Sequence, residues 1–217
     1  MYAQINGQNI YYETTGSGRP LLMVHGNSED HTIFTEAAEV LKDHFTVYLI
    51  DSRGHGLSGK VDEIHYEQLS DDMAEFLEQL DLKDVVYYGF SDGGIIGLLL
   101  ASRTKRVSQM ILSGTNITPN GVKTWLKVLV KVLYFFTRDP RMKMVLEEPH
   151  ISLEELQAID IKTTVVAGEK DAVTYEETKA IADNIPNAKL IIIPKAGHGS
   201  YIVHKTEIAD LILEETK

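Results

Sequence analysis

Residues 84–100, DVVYYGFSDGGIIGLLL, place a single serine between an apolar run and a glycine-rich apolar segment. The run before Ser91 is rich in β-branched and aromatic residues, which predicts a buried strand, and the segment after it predicts a buried helix. Gly89, Ser91 and Gly93 match the pattern G-x-S-x-G. Between a strand and a helix, this pattern raises a serine hydroxyl above the edge of a sheet. The alternative is a glycine-rich turn whose serine only caps the helix.

Short apolar runs alternate with helical patterns on both sides of this stretch. The predicted strands are LLMVHG, FTVYLID, DVVYYGF, VSQMILSG, TTVVAGEKD and KLIIIPKAG. Besides the helix after Ser91, helices are predicted near residues 34–42, 66–80, 175–185 and 204–215. A hairpin, AQI and NIYYETT joined at Asn6–Gly7, precedes them. The alternation predicts an α/β fold with a mostly parallel, doubly wound sheet and an N-terminal antiparallel hairpin.

Composition narrows the class of protein. The chain has 217 residues, which suits a single domain over residues 1–217. Its net charge of −11 argues against a nucleic-acid partner, because phosphate recognition needs a basic surface. It has no cysteine, which excludes disulfides and thiol catalysis and fits a cytoplasmic location. We find no signal peptide and no apolar run of about 18 residues, so we expect a cytoplasmic protein without a membrane partner.

Polar residues cluster at the predicted strand ends, where ligands of such sheets bind. A serine hydroxyl is a weak nucleophile that needs a base held by a third group. His198 follows the last predicted strand, and Asp171 follows the strand before it. His198 would accept the proton of Ser91, while Asp171 would fix the tautomer of the imidazole. Glu169 is the rival acid, two residues from Asp171.

An oxyanion formed at Ser91 would need N–H donors already in place. Asp92 offers its backbone N–H from the first turn of the following helix, and Asn27 offers one from the loop HGNSED. Ser28 is a weaker candidate, and we expect His25 to shape this loop. The Asp92 carboxylate has two interpretations: it attracts a substrate ammonium, or it is a first-turn carboxylate favoured by the helix dipole.

Five motifs, HGNSED, DSRGHGLS, GFSDGG, AGEKD and GHGS, follow one another along nearly the whole chain. In this order the sequence resembles the α/β-hydrolase fold family, in its small bacterial esterase-like branch. The order Ser, Asp, His is also the one expected for that fold. The resemblance implies a Ser-His-Asp hydrolase without a metal or organic cofactor. It also implies structural roles for Asp51, Arg53 and His55, with a binding role as the alternative.

Residues 115–158 form an insertion after the sixth strand of that fold, and we expect them to be a short helical lid. Lys123, Lys127 and Lys131 recur at i, i+4 and i+8, which predicts one polar stripe on an otherwise apolar helix. The apolar side chains on the rest of this helix must pack against another surface. It either covers the active site or packs on the body or on a dimer partner. The protein is accordingly expected to be a monomer or a homodimer.

The leading hypothesis is a hydrolase that cleaves small carboxylic esters, or related activated carbonyl compounds, through an acyl-enzyme at Ser91. A C–C bond hydrolase or an enol-lactonase with the same triad is the alternative. A non-catalytic protein that binds a ligand with this fold is the third, since fold alone does not settle function. The sequence shows no metal-ligand spacing, phosphate loop or dinucleotide motif, so we expect no cofactor and a small-molecule substrate.

Overall fold

Eight strands form one sheet in the computed structural model, which describes residues 1–217. The strands are β1 (Tyr2–Ile5), β2 (Gln8–Gly16), β3 (Arg19–Val24), β4 (Phe45–Ile50), β5 (Val85–Phe90), β6 (Val107–Ser113), β7 (Lys162–Lys170) and β8 (Lys189–Gly197). Their order across the sheet is β1-β2-β4-β3-β5-β6-β7-β8. The pairs β1–β2 and β2–β4 are antiparallel, and all other neighbours are parallel. The predicted mostly parallel sheet with an antiparallel hairpin is confirmed.

The N-terminal hairpin turns at the predicted residues. Asn6 and Gly7 both have positive φ, 47° and 77°. Two consecutive residues in this conformation give a turn whose twist matches that of the flanking strands. Asn and Gly adopt it at little cost. The turn therefore sets the register in which Ile5 pairs with Gln8.

Eight α-helices surround the sheet. They are α1 (Thr35–Leu41), α2 (Tyr66–Gln79), α3 (Asp92–Leu100), α4 (Thr124–Thr137), α5 (Pro140–Glu147), α6 (Leu153–Gln157), α7 (Tyr175–Asn184) and α8 (Glu207–Glu215). Helices α2, α3 and α7 contribute to a core of 33 buried residues, whereas α1 and α8 contribute to a second core of 21. Successive β5 side chains alternate between the two: Tyr87 joins the first, and Tyr88 the second. Helices therefore cover both faces of the sheet, as predicted.

The closing helix starts later than its apolar pattern predicted. Residues 204–215 were the expected range, but α8 begins at Glu207. His204 has φ of 52°, in the left-handed region, so it cannot belong to a right-handed helix. The remaining predicted helices match within a few residues.

The connection from β6 to β7 contains α4, α5 and α6, and two carboxylates fasten it to the body. Glu177 of α7 accepts hydrogen bonds from the backbone N–H groups of Ile117 (2.9 Å) and Thr118 (2.7 Å). Glu148, just after α5, accepts one from the N–H of Tyr66 at the start of α2 (3.1 Å). None of the helices has the length and apolar character that crossing a membrane requires.

Candidate active site

Ser91 sits on a sharp turn between β5 and α3. Its φ is 53°, a strained conformation for a residue with a side chain. The turn depends on two glycines, because a Cβ on Gly89 would lie 2.3 Å from the carbonyl oxygen of Gly93. A Cβ on Gly93 would lie 2.1 Å from the carbonyl oxygen of Val24 in β3. The pattern G-x-S-x-G therefore lets α3 approach the sheet closely while the serine projects from its edge.

His198 lies between Ser91 and Asp171. Its Nε2 is 3.0 Å from the Ser91 Oγ, and its Nδ1 is 2.6 Å from the Asp171 Oδ1. A carboxylate can only accept, so the Nδ1 carries the proton that the imidazole donates to Asp171. The Nε2 is then free to accept the proton of the serine hydroxyl. The structure brings the three residues together in the arrangement that nucleophilic catalysis by serine requires.

Asp171 is buried and held by backbone donors at the end of β7. Its carboxylate accepts hydrogen bonds from the N–H groups of Gly168 (3.1 Å) and Val173 (3.0 Å). Burial acts to raise the pKa of Asp171, but the hydrogen bond and charge of His198, together with these backbone donors, hold it below its usual value. The carboxylate is therefore ionised at neutral pH.

The rival acid Glu169 lies elsewhere. Its side chain is exposed and accepts a hydrogen bond from the N–H of Lys195 at 2.6 Å. It has no hydrogen bond to His198. Glu169 and Asp171 are only two residues apart at the end of β7, yet their carboxylates have different partners.

Asn27 and Asp92 flank Ser91, and each has a backbone N–H that donates to no group of the protein. Both residues line the cavity into which Ser91 opens. Ser28 also borders this cavity, and its backbone N–H likewise donates to no group of the protein. It is more exposed than Asn27, and its hydroxyl donates to the side-chain oxygen of Asn27 at 2.9 Å. Unpaired backbone donors, those of Asn27 and Asp92 among them, therefore lie beside Ser91.

The Asp92 carboxylate is buried and has partners on both oxygens. The Tyr66 hydroxyl donates to Oδ1 at 2.9 Å, and the side-chain amide of Asn27 donates to Oδ2 at 2.9 Å. Burial raises the pKa of Asp92 to about 6, although these two hydrogen bonds act to lower it. The side chain therefore ties α2 and the loop after β3 to the start of α3.

Glu29 is a second carboxylate near Ser91, which the sequence reasoning missed. Its Oε2 accepts a hydrogen bond from the N–H of Gly26 at 3.0 Å, and the residue borders the same cavity as Ser91. Burial raises the pKa of Glu29 to about 7, against the lowering effect of that hydrogen bond. A glutamate in a polar loop carries no sequence signal of burial, since the neighbours that bury it come from distant segments.

His25 has the loop-shaping contacts expected of it. Its Nε2 accepts a hydrogen bond from the N–H of Ser52 at 3.1 Å, so its Nδ1 carries the proton and donates to the carbonyl oxygen of Gly26 at 2.8 Å. Burial lowers the pKa of His25 to about 4. The neutral ring thus joins the loop after β3 to the loop after β4.

The loop after β4 is held by its own polar contacts. Asp51 is buried and accepts hydrogen bonds from the N–H groups of His31 (2.8 Å) and Leu57 (2.7 Å). Arg53 forms a two-pronged ion pair with Asp72 of α2, with both N–O distances 2.7 Å. His55 is also buried, and burial lowers its pKa to about 3. Asp51, Arg53 and His55 do not border the cavity at Ser91.

The cavity at Ser91 has a volume of about 260 Å³ and is bordered by twenty residues. Helix α4 contributes the apolar side chains Leu126, Leu129, Val130 and Leu133. Three carboxylate residues border it, namely Glu29, Asp92 and Glu148, and no lysine or arginine does. The cavity is therefore apolar with an acidic side.

The sequence matches family profiles and curated relatives. Residues 19–142 match the profile of the family described as the alpha/beta hydrolase fold, and residues 145–214 match that of the family described as TAP-like protein. The uncharacterized hydrolase YraK of Bacillus subtilis is 36% identical over 103 residues, covering 46% of this chain and 38% of YraK. Two further curated relatives are matched over 36% and 35% of their length. The chain thus spans little more than a third of the length of these three relatives.

Solved structures agree on the fold. The esterase EaEST from Exiguobacterium antarcticum has a TM-score of 0.87 at 22% identity, covering 100% of this chain and 99% of that one. The enol-lactonase from Burkholderia xenovorans LB400 has a TM-score of 0.82 at 21% identity, also over 100% and 99%. At these identities the likeness concerns the fold alone. Since the first family profile covers more than half of the chain, and the sheet order and neighbouring structures agree with it, the protein belongs to the α/β-hydrolase fold family.

Proposed function

We propose that the protein is a serine hydrolase that cleaves small carboxylic esters through an acyl-enzyme at Ser91. The observation that carries this proposal is the chain of contacts from the Ser91 Oγ to His198 (3.0 Å) and on to Asp171 (2.6 Å). As the Oγ attacks the ester carbonyl, the His198 Nε2 takes its proton and then returns it to the leaving alcohol. Asp171 stabilises the imidazolium formed in between.

Two backbone N–H groups are proposed to bind the oxyanion of the tetrahedral intermediate. The N–H groups of Asn27 and Asp92 have no partner within the protein, so they are available for a substrate oxygen. Asp92 also lies at the N-terminus of α3, where the helix dipole favours negative charge. Donors already in place stabilise the charge that develops without reorganising during the reaction.

The cavity supports a preference for neutral substrates with an apolar acyl group. Its α4 side chains offer apolar contacts, and its volume of about 260 Å³ suits a small ligand. Glu29, Asp92 and Glu148 would repel a substrate carboxylate, and no lysine or arginine on the cavity wall would pair with one. We therefore infer that esters ending in a carboxylate are poor substrates.

Residues 115–158 are proposed to be the lid of this cavity. Leu126 and Val130 of α4 border the cavity from one side, while Ser91 borders it from another. The ends of the segment are fixed by Glu177 and Glu148, through the backbone hydrogen bonds described above. Acyl size would then be set by α4 and α5.

C–C bond hydrolysis and enol-lactone hydrolysis could use the same three residues. The acidic side of the cavity disfavours those members of both classes whose substrates carry a carboxylate. A binding protein without catalysis would not need the Ser91–His198–Asp171 contacts, so this third interpretation ranks last.

A panel of p-nitrophenyl esters of graded acyl length, with lactones and amino-acid esters included, tests the proposal. We expect hydrolysis of short neutral esters that disappears in Ser91→Ala and persists in Ser108→Ala, whose hydroxyl lies at the start of β6, at the opposite edge of the sheet. Equal rates for the wild type and Ser91→Ala would refute it. Faster turnover of lactones than of every ester would favour the lactonase alternative.

A further inference from the structure

The outer face of α4 exposes a row of large apolar side chains. Trp125, Val128, Val132, Phe135 and Phe136 make up this outer face, and Trp125, Phe135 and Phe136 are 61%, 65% and 77% exposed. Trp125, Val128, Val132 and Phe135 follow the spacing i, i+3, i+7 and i+10, so they lie on one side of the helix. An apolar row of this kind on a protein surface marks an interaction site.

This outer face is distinct from the side of α4 that borders the cavity. Leu126 and Val130 border the cavity, and Val130 is buried. The residues of the outer face remain exposed, whereas Val130 on the opposite side is the one buried residue of α4, so the outer face makes no comparable packing contact within the chain. Helix α4 therefore lies between the cavity and any partner that binds to its outer face.

The segment that carries the outer face is basic in an acidic protein. Residues 123–145 hold six of the chain's 21 lysines and arginines and only one of its 32 aspartates and glutamates. Lys127 and Lys131 form a stripe along one flank of the apolar row. Arg138 lies beyond its end, over the ring of Phe135 at 5.6 Å. Residues 123–145 are thus positively charged, while the rest of the chain is strongly negative.

We propose that the outer face of α4 docks onto the surface of an anionic phospholipid membrane. Aromatic and aliphatic residues on one side of a helix, flanked by lysines, are the combination that lies in a lipid interface with basic groups at the headgroups. A second copy of the chain is a poorer partner, because a symmetric contact would bring the same lysines opposite each other.

This docking is peripheral and needs no crossing helix, so it is compatible with the absence of a helix long enough to span a membrane. It departs from the expectation of no membrane partner, which rested on the lack of a span. It would also place the helix that borders the cavity at the lipid surface.

Trp125 makes the proposal directly testable, since it is the only tryptophan of the chain and lies on the outer face. Its fluorescence is measured while phosphatidylglycerol-containing vesicles are added to the full-length protein, with pure phosphatidylcholine vesicles in parallel. We expect a blue shift with the anionic vesicles that weakens in high salt, and vesicle co-sedimentation that follows it. No shift and no co-sedimentation with anionic vesicles would overturn the proposal.

Substitutions of the lysines and of the phenylalanines test the electrostatic and the apolar part of the membrane contact separately. Lys127→Gln with Lys131→Gln should weaken binding to anionic vesicles by roughly 30-fold, because each basic group near such a surface contributes about fivefold. Phe135→Ser with Phe136→Ser should weaken binding to both kinds of vesicle. Lys105→Gln with Lys217→Gln removes the same charge at the opposite edge of the sheet and should change binding less than twofold.

Two other outcomes would also overturn the proposal. One is a shift produced by polyaspartate but not by vesicles, which would indicate an acidic protein partner. The other is dimer formation in analytical ultracentrifugation that Phe135→Ser with Phe136→Ser abolishes while vesicles bind neither protein. Apart from the half-buried Lys127, whose ammonium donates to the side-chain oxygen of Asn120 at 3.3 Å, these variants change exposed side chains. The fold should therefore persist in each, as circular dichroism would verify.

Discussion

The side-chain amide of Asn27 donates to the Asp92 carboxylate over 2.9 Å, and so joins the loop after β3 to the first turn of α3. The same two residues carry the unpaired backbone N–H groups that are proposed to bind the oxyanion. The distance between the two proposed oxyanion donors thus depends on a contact between their own side chains. This gives Asp92 a positioning role through its carboxylate in addition to the proposed role of its N–H.

Replacing the carboxylate tests this role. Asp92→Asn cannot accept from both Tyr66 and Asn27 as the carboxylate does, so the loop should be held less firmly. We expect kcat to fall by roughly tenfold with little change in KM, because only a contact with the oxyanion is weakened. Steady-state kinetics with a neutral ester and with a cationic amino-acid ester should show the same loss.

A loss confined to the cationic ester would contradict this account and favour the other interpretation of Asp92, in which it binds a substrate ammonium. Asp84→Asn is the matched control. Asp84 precedes β5 at the opposite edge of the sheet and pairs with Arg19, so its replacement should leave both substrates unaffected.

Glu29 should make the choice of substrate depend on pH. Burial raises its pKa to about 7, so the side chain is mostly neutral at pH 6.5 and mostly charged at pH 8.5. As the pH rises, kcat/KM for a p-nitrophenyl ester ending in a carboxylate should fall relative to p-nitrophenyl butyrate. We expect a change of roughly tenfold, since charges about 10 Å apart interact by about 1.7 kcal/mol at an effective dielectric of 20. Changes that affect both substrates equally cancel in the ratio.

In Glu29→Gln the ratio should change far less between these two pH values, because Asp92, whose pKa is about 6, is already mostly charged at pH 6.5. Glu169→Gln, which removes an exposed carboxylate outside the cavity, should retain the pH dependence of the wild type. A ratio that does not change with pH in the wild type would show that Glu29 does not act on the substrate.

Two conservative substitutions distinguish between Asp171 and Glu169 as the acid that holds His198. Asp171→Asn keeps the shape of the side chain but removes the charge that holds the His198 tautomer, so kcat should fall by roughly 10³–10⁴-fold. In Glu169→Gln, kcat should fall less than twofold, because the Glu169 carboxylate accepts its hydrogen bond from the backbone N–H of Lys195. The reverse ranking would assign the role of acid to Glu169.

The parts of this molecule that could be predicted from its sequence are those encoded locally. The alternation of apolar runs and helical patterns predicts the sheet, and parallel strands bring their carboxyl ends to one edge. Ser91, Asp171 and His198 each follow a strand, so their meeting depends only on strand order. The burial of Glu29 and the contact between Tyr66 and Asp92 depend on side chains from separate elements, and no local pattern encodes them.

Gly93 should be required for stability because of its contact with β3. A Cβ there would lie 2.1 Å from the carbonyl oxygen of Val24, in a strand bonded on both sides. Gly93→Ala should therefore lower the free energy of unfolding by about 3 kcal/mol, the upper part of the range for overpacking. Urea denaturation measures this. Gly197→Ala adds a Cβ where no atom lies within 4 Å and should change stability by under about 0.5 kcal/mol.

Ser91 is the proposed nucleophile, and His198 is the base proposed to activate it. Intact-protein mass spectrometry after treatment with a fluorophosphonate, followed by peptide mapping, measures this most directly. We expect a single adduct on Ser91 in the wild type and no adduct in Ser91→Ala. Labelling of His198→Ala should be slower by roughly 100-fold or more, the range expected for loss of a general base. An unlabelled wild type, or an adduct that persists in Ser91→Ala, would contradict this assignment.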